Sequence, residues 1–197
     1  MQRWPWLGDP QATSQRRADL WRLLGRRPSL QGKPHGVLTR SEVSASARIE
    51  HWTLMLNSAE PVPALLLHPL DMPPRGLVLY CHAHGNRFEM GKDELLLGRP
   101  ALSSPPYGAL LPAMGYAVLA IDHWCFGERR GNSERALVKR LLWEGQTLWG
   151  YRVHDSLAAL DWAGARPELG GLPVTALGLS MGSTMAIWCA ALDERIA

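Results

Sequence analysis

No apolar run in this 197-residue sequence approaches the ~18 residues of a membrane span, and residues 1–10 hold no apolar core of the kind a secretory signal carries. A membrane-embedded chain is therefore not expected, and a cytoplasmic location is the expectation. Cysteine is scarce. Cys81, Cys125 and Cys189 are odd in number, lack framework spacing and sit in or beside apolar stretches, which argues against a disulfide scaffold and predicts reduced, mostly buried thiols. No repeat or low-complexity tract interrupts the chain. Charge of one sign is not concentrated either: 21 Lys and Arg against 18 Asp and Glu give +3, with the basic residues scattered apart from a cluster near the amino end, so nucleic acid is not indicated. What is present is globular composition, 46% hydrophobic and 20% charged, in a length that suits one domain and no second.

Residues 11–25 set Ala12, Leu20, Leu23 and Leu24 among Arg and Gln and end at Gly25, predicting a short amphipathic helix packed from outside. The basic residues around it (Arg16, Arg17, Arg22, Arg26, Arg27) read as a solvated face, with an acidic partner as the alternative. Residues 1–43 form an N-terminal helical extension in this division, and 44–197 the body. Extended segments at 47–56 and 62–67, separated by the turn formers Asn57-Ser58-Ala59-Glu60-Pro61, predict an edge hairpin. The prolines of 71–76 make that stretch a loop.

Three later runs, 76–81, 115–121 and 174–177, show no alternation and read as strands buried on both faces of a parallel sheet. Each delivers polar residues at its carboxyl end: His82-Ala83-His84-Gly85-Asn86, Asp122-His123, and Ser180. Open α/β sheets place their ligands at that edge. Between the runs, 93–113 is broken by Pro100, Pro105 and Pro106 into short helical turns, and 134–162 has the periodicity of two helices or one bent one.

The chain is organised around 173–192. Val174-Thr175-Ala176-Leu177 meets Gly178-Leu179-Ser180-Met181-Gly182, and small and apolar residues continue at helical spacing, which is a strand, a tight turn and a helix. A serine at such an apex is held clear of the backbone, so Ser180 is a candidate nucleophile; an ordinary Gly-rich turn is the competing reading. His82 and His84 fit either a hydrogen-bonded brace of their loop or a pair of metal ligands completed by His123 and Asp122. Asp122 reads as a capping carboxylate for the loop at 124–131. His154 and Asp155, adjacent in a helical pattern, do not share a face and are expected at the surface.

The succession of hairpin, buried strand with H-A-H-G-N, buried strand with D-H, helix, buried strand with G-L-S-M-G-S and helix resembles the first two-thirds of an α/β-hydrolase. Within that fold it is similar to the dienelactone-hydrolase-like and acetyl-xylan-esterase-like branch. The likeness covers 44–197, and its most specific motifs are H-A-H-G-N-R-F-E-M-G-K-D-E and G-L-S-M-G-S. Dienelactone hydrolase itself carries Cys where this chain has Ser180, so the esterase relatives are the closer chemical guide. The resemblance implies an α/β fold, a mostly parallel sheet with an antiparallel edge hairpin and flanking helices, without the family's C-terminal strands. It implies a serine hydrolase of small-molecule carboxylic esters, with Ser180 as nucleophile and an oxyanion hole from the backbone N–H groups of Met181 and His84. Asn86 is the alternative second donor, because Ala83 replaces the more usual glycine. No cofactor, metal ion or membrane is implied.

The family's acid and base are what the sequence lacks. They follow the nucleophile as Asp or Glu and then His, whereas only 17 residues follow Ser180, with Asp193 and Glu194 among them and no histidine. The expectation is little or no turnover by this chain, as a fragment of a longer hydrolase, as one completed by a partner, or as a remnant that binds without catalysis. The elbow strand would also be an unpaired sheet edge open to self-association. A peptidase or thioesterase on the same fold is compatible with Ser180 alone.

Overall fold

The computed structural model describes residues 10–30, 32–131 and 133–197. Residues 1–9, nearly all of the amino-terminal stretch expected to lack a signal core, lie outside them. The amphipathic helix is α1 (Pro10–Leu24), and its basic residues are engaged: Arg22 with Asp19, Arg17 with Glu194 at 3.2 Å, and Arg27 over the Trp21 ring at 4.0 Å. Periodicity starts the sheet near residue 44; the structure starts it at β1 (His35–Val43). Almost every residue of β1 is exposed, so it carries no apolar alternation to detect. Its extended form comes from its ladder to β2 (Ala47–Met55), and the connection is fixed by Ser44, whose N–H and Oγ both bond to Ala47.

The remaining elements run β3 (Val62–Pro69), β4 (Leu77–Cys81), α2 (Glu94–Leu97), α3 (Tyr107–Ala113), β5 (Ala117–Ile121), α4 (Glu134–Trp143), α5 (Leu148–Gly164), β6 (Val174–Gly178) and α6 (Met181–Leu192). The strands form one mixed sheet in the order β1-β2-β3-β5-β4-β6. Pairing is antiparallel from β1 through β3 to β5 and parallel from β5 to β4 and β4 to β6, so the antiparallel part is longer than the expected hairpin. The predicted break between two helices falls at residues 144–147, between α4 and α5.

Helices cover both faces, which is why β4 and β5 read as continuous apolar runs. Leu77, Leu79 and Cys81 point to the face packed by α5 and α6, with Val153, Leu160, Met185 and Cys189. Val78 and Tyr80 point to the other, with Leu95, Tyr107 and Leu111. Each fully buried leucine contributes about 2 kcal/mol by removal from water. All three cysteines are buried and unpaired, as the sequence predicts. The strand β6 is less buried than its neighbours and lies at the sheet end, where Val174 makes a single parallel bridge to Ile196. Among the described residues no helix is long and apolar enough to cross a membrane.

One expectation is overturned. Asp155 is not at the surface but fully buried, and its carboxylate accepts hydrogen bonds from Asn57 Nδ2 at 2.7 Å, Trp124 Nε1 at 2.8 Å and Arg129 at 2.9 Å. The inward face of α5 meets three donors from two loops, Asn57 after β2 and Trp124 and Arg129 after β5, and a pattern along one helix does not reveal them. His154 is half-buried, with Nε2 against the Leu56 carbonyl at 3.1 Å. Asp155→Ala leaves the buried Arg129 with less counter-charge and should lower unfolding free energy by about 3 kcal/mol, measured by urea denaturation.

Candidate functional site

Three non-glycine residues among those described have positive φ: Asn86 at 54°, Cys125 at 75° and Ser180 at 57°. They lie in the loops that follow β4, β5 and β6, so unfavourable backbone is concentrated at the carboxyl edge of the parallel strands. Such conformations persist only where the surroundings impose them. For Ser180 (ψ −118°) the cause is close packing beneath it. A side chain at Gly182 would overlap the Cys81 carbonyl at the end of β4, and one at Gly178 would overlap Gly182 itself. Strand and helix can approach this closely only without Cβ atoms, and the chain between them must turn sharply. Gly182 N–H closes the turn onto Leu179 O at 2.9 Å.

Ser180 stands exposed at the apex, and its Oγ has no hydrogen-bond partner among the described residues. Its carbonyl is held by Ser183 Oγ at 2.8 Å and Thr184 N–H at 3.1 Å, which anchors the backbone and leaves the hydroxyl free. Met181 opens α6, where the first amides have no intrahelical acceptor.

The loop after β4 is built on Glu94, a buried carboxylate that the sequence offers only as the last letter of the H-A-H-G-N motif run. Its Oε1 accepts Tyr80 Oη–H and Ala83 N–H, each at 2.9 Å, while Oε2 pairs with Arg99. The Ala83 amide is therefore occupied. The Asn86 amide is occupied too, donating to His84 Nδ1 at 3.0 Å, whereas the His84 amide has no partner among the described residues. Because Nδ1 accepts, Nε2 carries the His84 proton and donates to Glu134 Oε2 at 2.9 Å.

Glu134 connects this loop to the other two. Its Oε1 accepts from Arg152 at 2.5 Å, and Arg152 also donates to the Trp124 carbonyl at 2.9 Å and reaches Met181 Sδ at 3.3 Å. One guanidinium thus touches the loop after β5 and the first residue of α6, and through Glu134 the loop after β4. Burial pushes the Glu134 carboxyl up, but the hydrogen bonds from His84 and Arg152 outweigh it and leave its pKa below the ordinary value. Sequence reasoning singled out neither Glu134 nor Arg152. They lie on two helices where they read as surface charge, and only the fold brings them together.

The two sequence-predicted histidines do not act as a pair. His82 is buried, with Nδ1–H donating to Ala83 O at 3.1 Å and Nε2 accepting His123 N–H at 3.2 Å. His84 faces Glu134 instead, so both rings brace loops. Among the described residues no group of three or more His, Cys, Asp or Glu is placed to hold a metal ion. Asp122 caps its loop as expected, accepting from Lys92 N–H at 2.7 Å, Lys92 Nζ at 3.2 Å and Glu128 N–H at 2.9 Å. His123 is buried with both ring nitrogens unpartnered, its ring 4.6 Å from that of His82. Burial drives His82 down to about 3 and His123 well below its usual range.

No protein-family model matches the chain. Over 185 residues it is 40% identical to YtaP of Bacillus subtilis (strain 168), a provisionally named hydrolase; the match takes in 93% of this chain and 61% of YtaP. Among solved structures it is similar to a provisionally named acetyl xylan esterase of Bacteroides fragilis NCTC 9343, with TM-score 0.69, 18% identity, and 95% of this chain on 52% of that one. Acetyl xylan esterase 1 of Thermoanaerobacterium sp. JW/SL YS485 gives TM-score 0.60, 18% identity, and 95% on 56%. The chain therefore spans little more than half the length of these proteins, and the structural likeness establishes the α/β fold of esterases.

The unfolded chain protonates both buried histidines near pH 6.5, whereas the folded chain resists until far lower pH. Their stabilising contribution is full above about pH 6.5 and falls as the pH drops below it, towards about 3 for His82, with a limiting slope of about 1.4 kcal/mol per pH unit for each histidine. His123→Phe keeps the ring and removes two unpartnered nitrogens. Urea denaturation between pH 7 and pH 5 should show the variant at least as stable as wild type at pH 7, with roughly half the histidine-derived slope.

Proposed function

We propose that this chain carries the nucleophile and oxyanion-hole part of a serine esterase site, of the acetyl-xylan-esterase-like and dienelactone-hydrolase-like kind, acting on small-molecule carboxylic esters. The observation that carries the reading is Ser180, held at positive φ on the exposed apex between β6 and α6 with its hydroxyl uncommitted. In the reaction, Oγ bonds to the ester carbonyl carbon as a base removes its proton. The charge that develops on oxygen meets the free amides of Met181 and His84. Each such donor typically supplies ~3 kcal/mol of barrier lowering. Collapse breaks the ester C–O bond and the alcohol leaves with the proton; water then attacks the acyl-enzyme, releasing the acid and restoring Ser180.

No base hydrogen-bonds to Ser180 Oγ among the described residues, so the 197-residue chain should show little or no turnover. The same observation favours a second reading, a binding protein of esterase fold that does not catalyse. A cytoplasmic location and an open β6 edge capable of self-association complete the proposal.

Hydrolysis of p-nitrophenyl acetate by the 197-residue chain should stay near background, while a fluorophosphonate at high concentration and long exposure, helped by the oxyanion donors alone, should label Ser180 slowly but selectively and leave Ser180→Ala unlabelled. Turnover at rates usual for esterases and abolished by Ser180→Ala would contradict the expected inactivity. Folded wild-type protein that stays unlabelled would favour the binding reading.

A further inference from the structure

Beside the elbow lies a cavity of about 370 Å³ with Met181 in its wall. Val138 and Leu142 of α4 and Leu148 and Trp149 of α5 supply its apolar surface. The polar side chains that reach it are already engaged by protein. His84 uses both ring nitrogens, Glu134 uses both oxygens, and Thr147 Oγ1 donates to Leu24 O at 2.6 Å while accepting Gly150 N–H at 2.9 Å. The terminal nitrogens of Arg152 are bound to Glu134, Trp124 O and Met181, and its unpartnered Nε is buried out of reach.

These facts restrict the occupant. A sugar would bring hydroxyls for which the side chains of the wall have no open partner, the free amides of His84 and Met181 being the ones assigned to the ester oxygen, and its desolvation would go uncompensated. A charged arm gains little, because Glu134 and Arg152 neutralise each other. An apolar arm displaces water from apolar wall and disturbs no bond. At ~30 Å³ for a water-sized group, the volume holds no more than about a dozen such groups, which sets the arm at roughly six to ten carbons.

We propose that this cavity binds the apolar arm of the ester, a linear or aryl hydrocarbon of that size, and that Val138, Leu142, Leu148 and Trp149 set this preference. The proposal rests on the reading of Ser180 as nucleophile for its place in a reaction, and on the cavity alone for binding.

The test is therefore binding. In wild-type chain carrying [13C-methyl]methionine, with the Met181 signal assigned through Met181→Leu, 2-octanone and acetone are titrated separately. Each buried methylene improves binding by about fourfold, so 2-octanone should shift the Met181 methyl saturably at a concentration at least tenfold lower than acetone. Val138→Trp and Leu142→Trp fill the cavity from α4, the second from a largely exposed position where folding is not at risk. Each should weaken 2-octanone binding tenfold or more while Ser180 still reacts with a small fluorophosphonate. Absence of a saturable shift, equal affinity for the two ketones, or wild-type affinity in both variants would overturn the proposal. Saturable 2-octanone binding without Ser180 labelling would support the cavity and overturn the nucleophile reading; labelling without binding would do the reverse.

Discussion

At Gly182 there is no room for a side chain, because the first turn of α6 rests against the carbonyl of Cys81 at the end of β4. The contact joins the strand that opens the parallel sheet to the helix that follows its last strand, and it leaves β6 and α6 only a sharp turn between them. Positive φ at Ser180 is the consequence. The unfavourable conformation is outweighed by the burial of Met185 and Cys189, which lie one and two turns further along the same helix against the sheet. Without that close approach the serine would be an ordinary helix-cap residue.

A second constraint aligns the loops around it. Glu134 lies between His84 and Arg152, and Arg152 reaches both Trp124 and Met181, so a rotation of one loop alone would break a bond in another. Arg152 is buried, and a guanidinium in that setting is tolerated only with its charge paired, which Glu134 provides; its terminal nitrogens are all used and Nε alone is left without a partner. The same bonding leaves the amides of His84 and Met181 without intramolecular acceptors, while those of Ala83 and Asn86 are spent on structure. The polar side chains of the wall are thus self-satisfied, and apart from those two amides the surface left open beside Met181 is apolar.

The sequence made the parallel strands, the strand-turn-helix at Ser180 and the two-helix crossover legible, because each is a local pattern: unbroken apolar runs, glycines two residues either side of Ser180, and apolar spacing of three and four. It did not make β1 legible, since a solvent-facing strand held by its neighbour's ladder carries no apolar signature. Asp155, Glu94, Glu134 and Arg152 were illegible for a different reason. Most of their partners lie 11 to 98 residues away, Arg99 beside Glu94 being the exception, and nothing in the local pattern distinguishes a buried, bonded charge from a solvated one. His82 and His84 show the converse: their spacing suggests a shared ligand, and the fold gives them separate partners.

The contact at Gly182 is tested most directly by Gly182→Ala, examined by urea denaturation. If the Cys81 carbonyl sets the separation of β4, β6 and α6, the added methyl should lower unfolding free energy by about 2 kcal/mol, as overpacking of a tight interior does. Wild-type stability in Gly182→Ala would contradict the account, since the turn at Ser180 would then have room to relax.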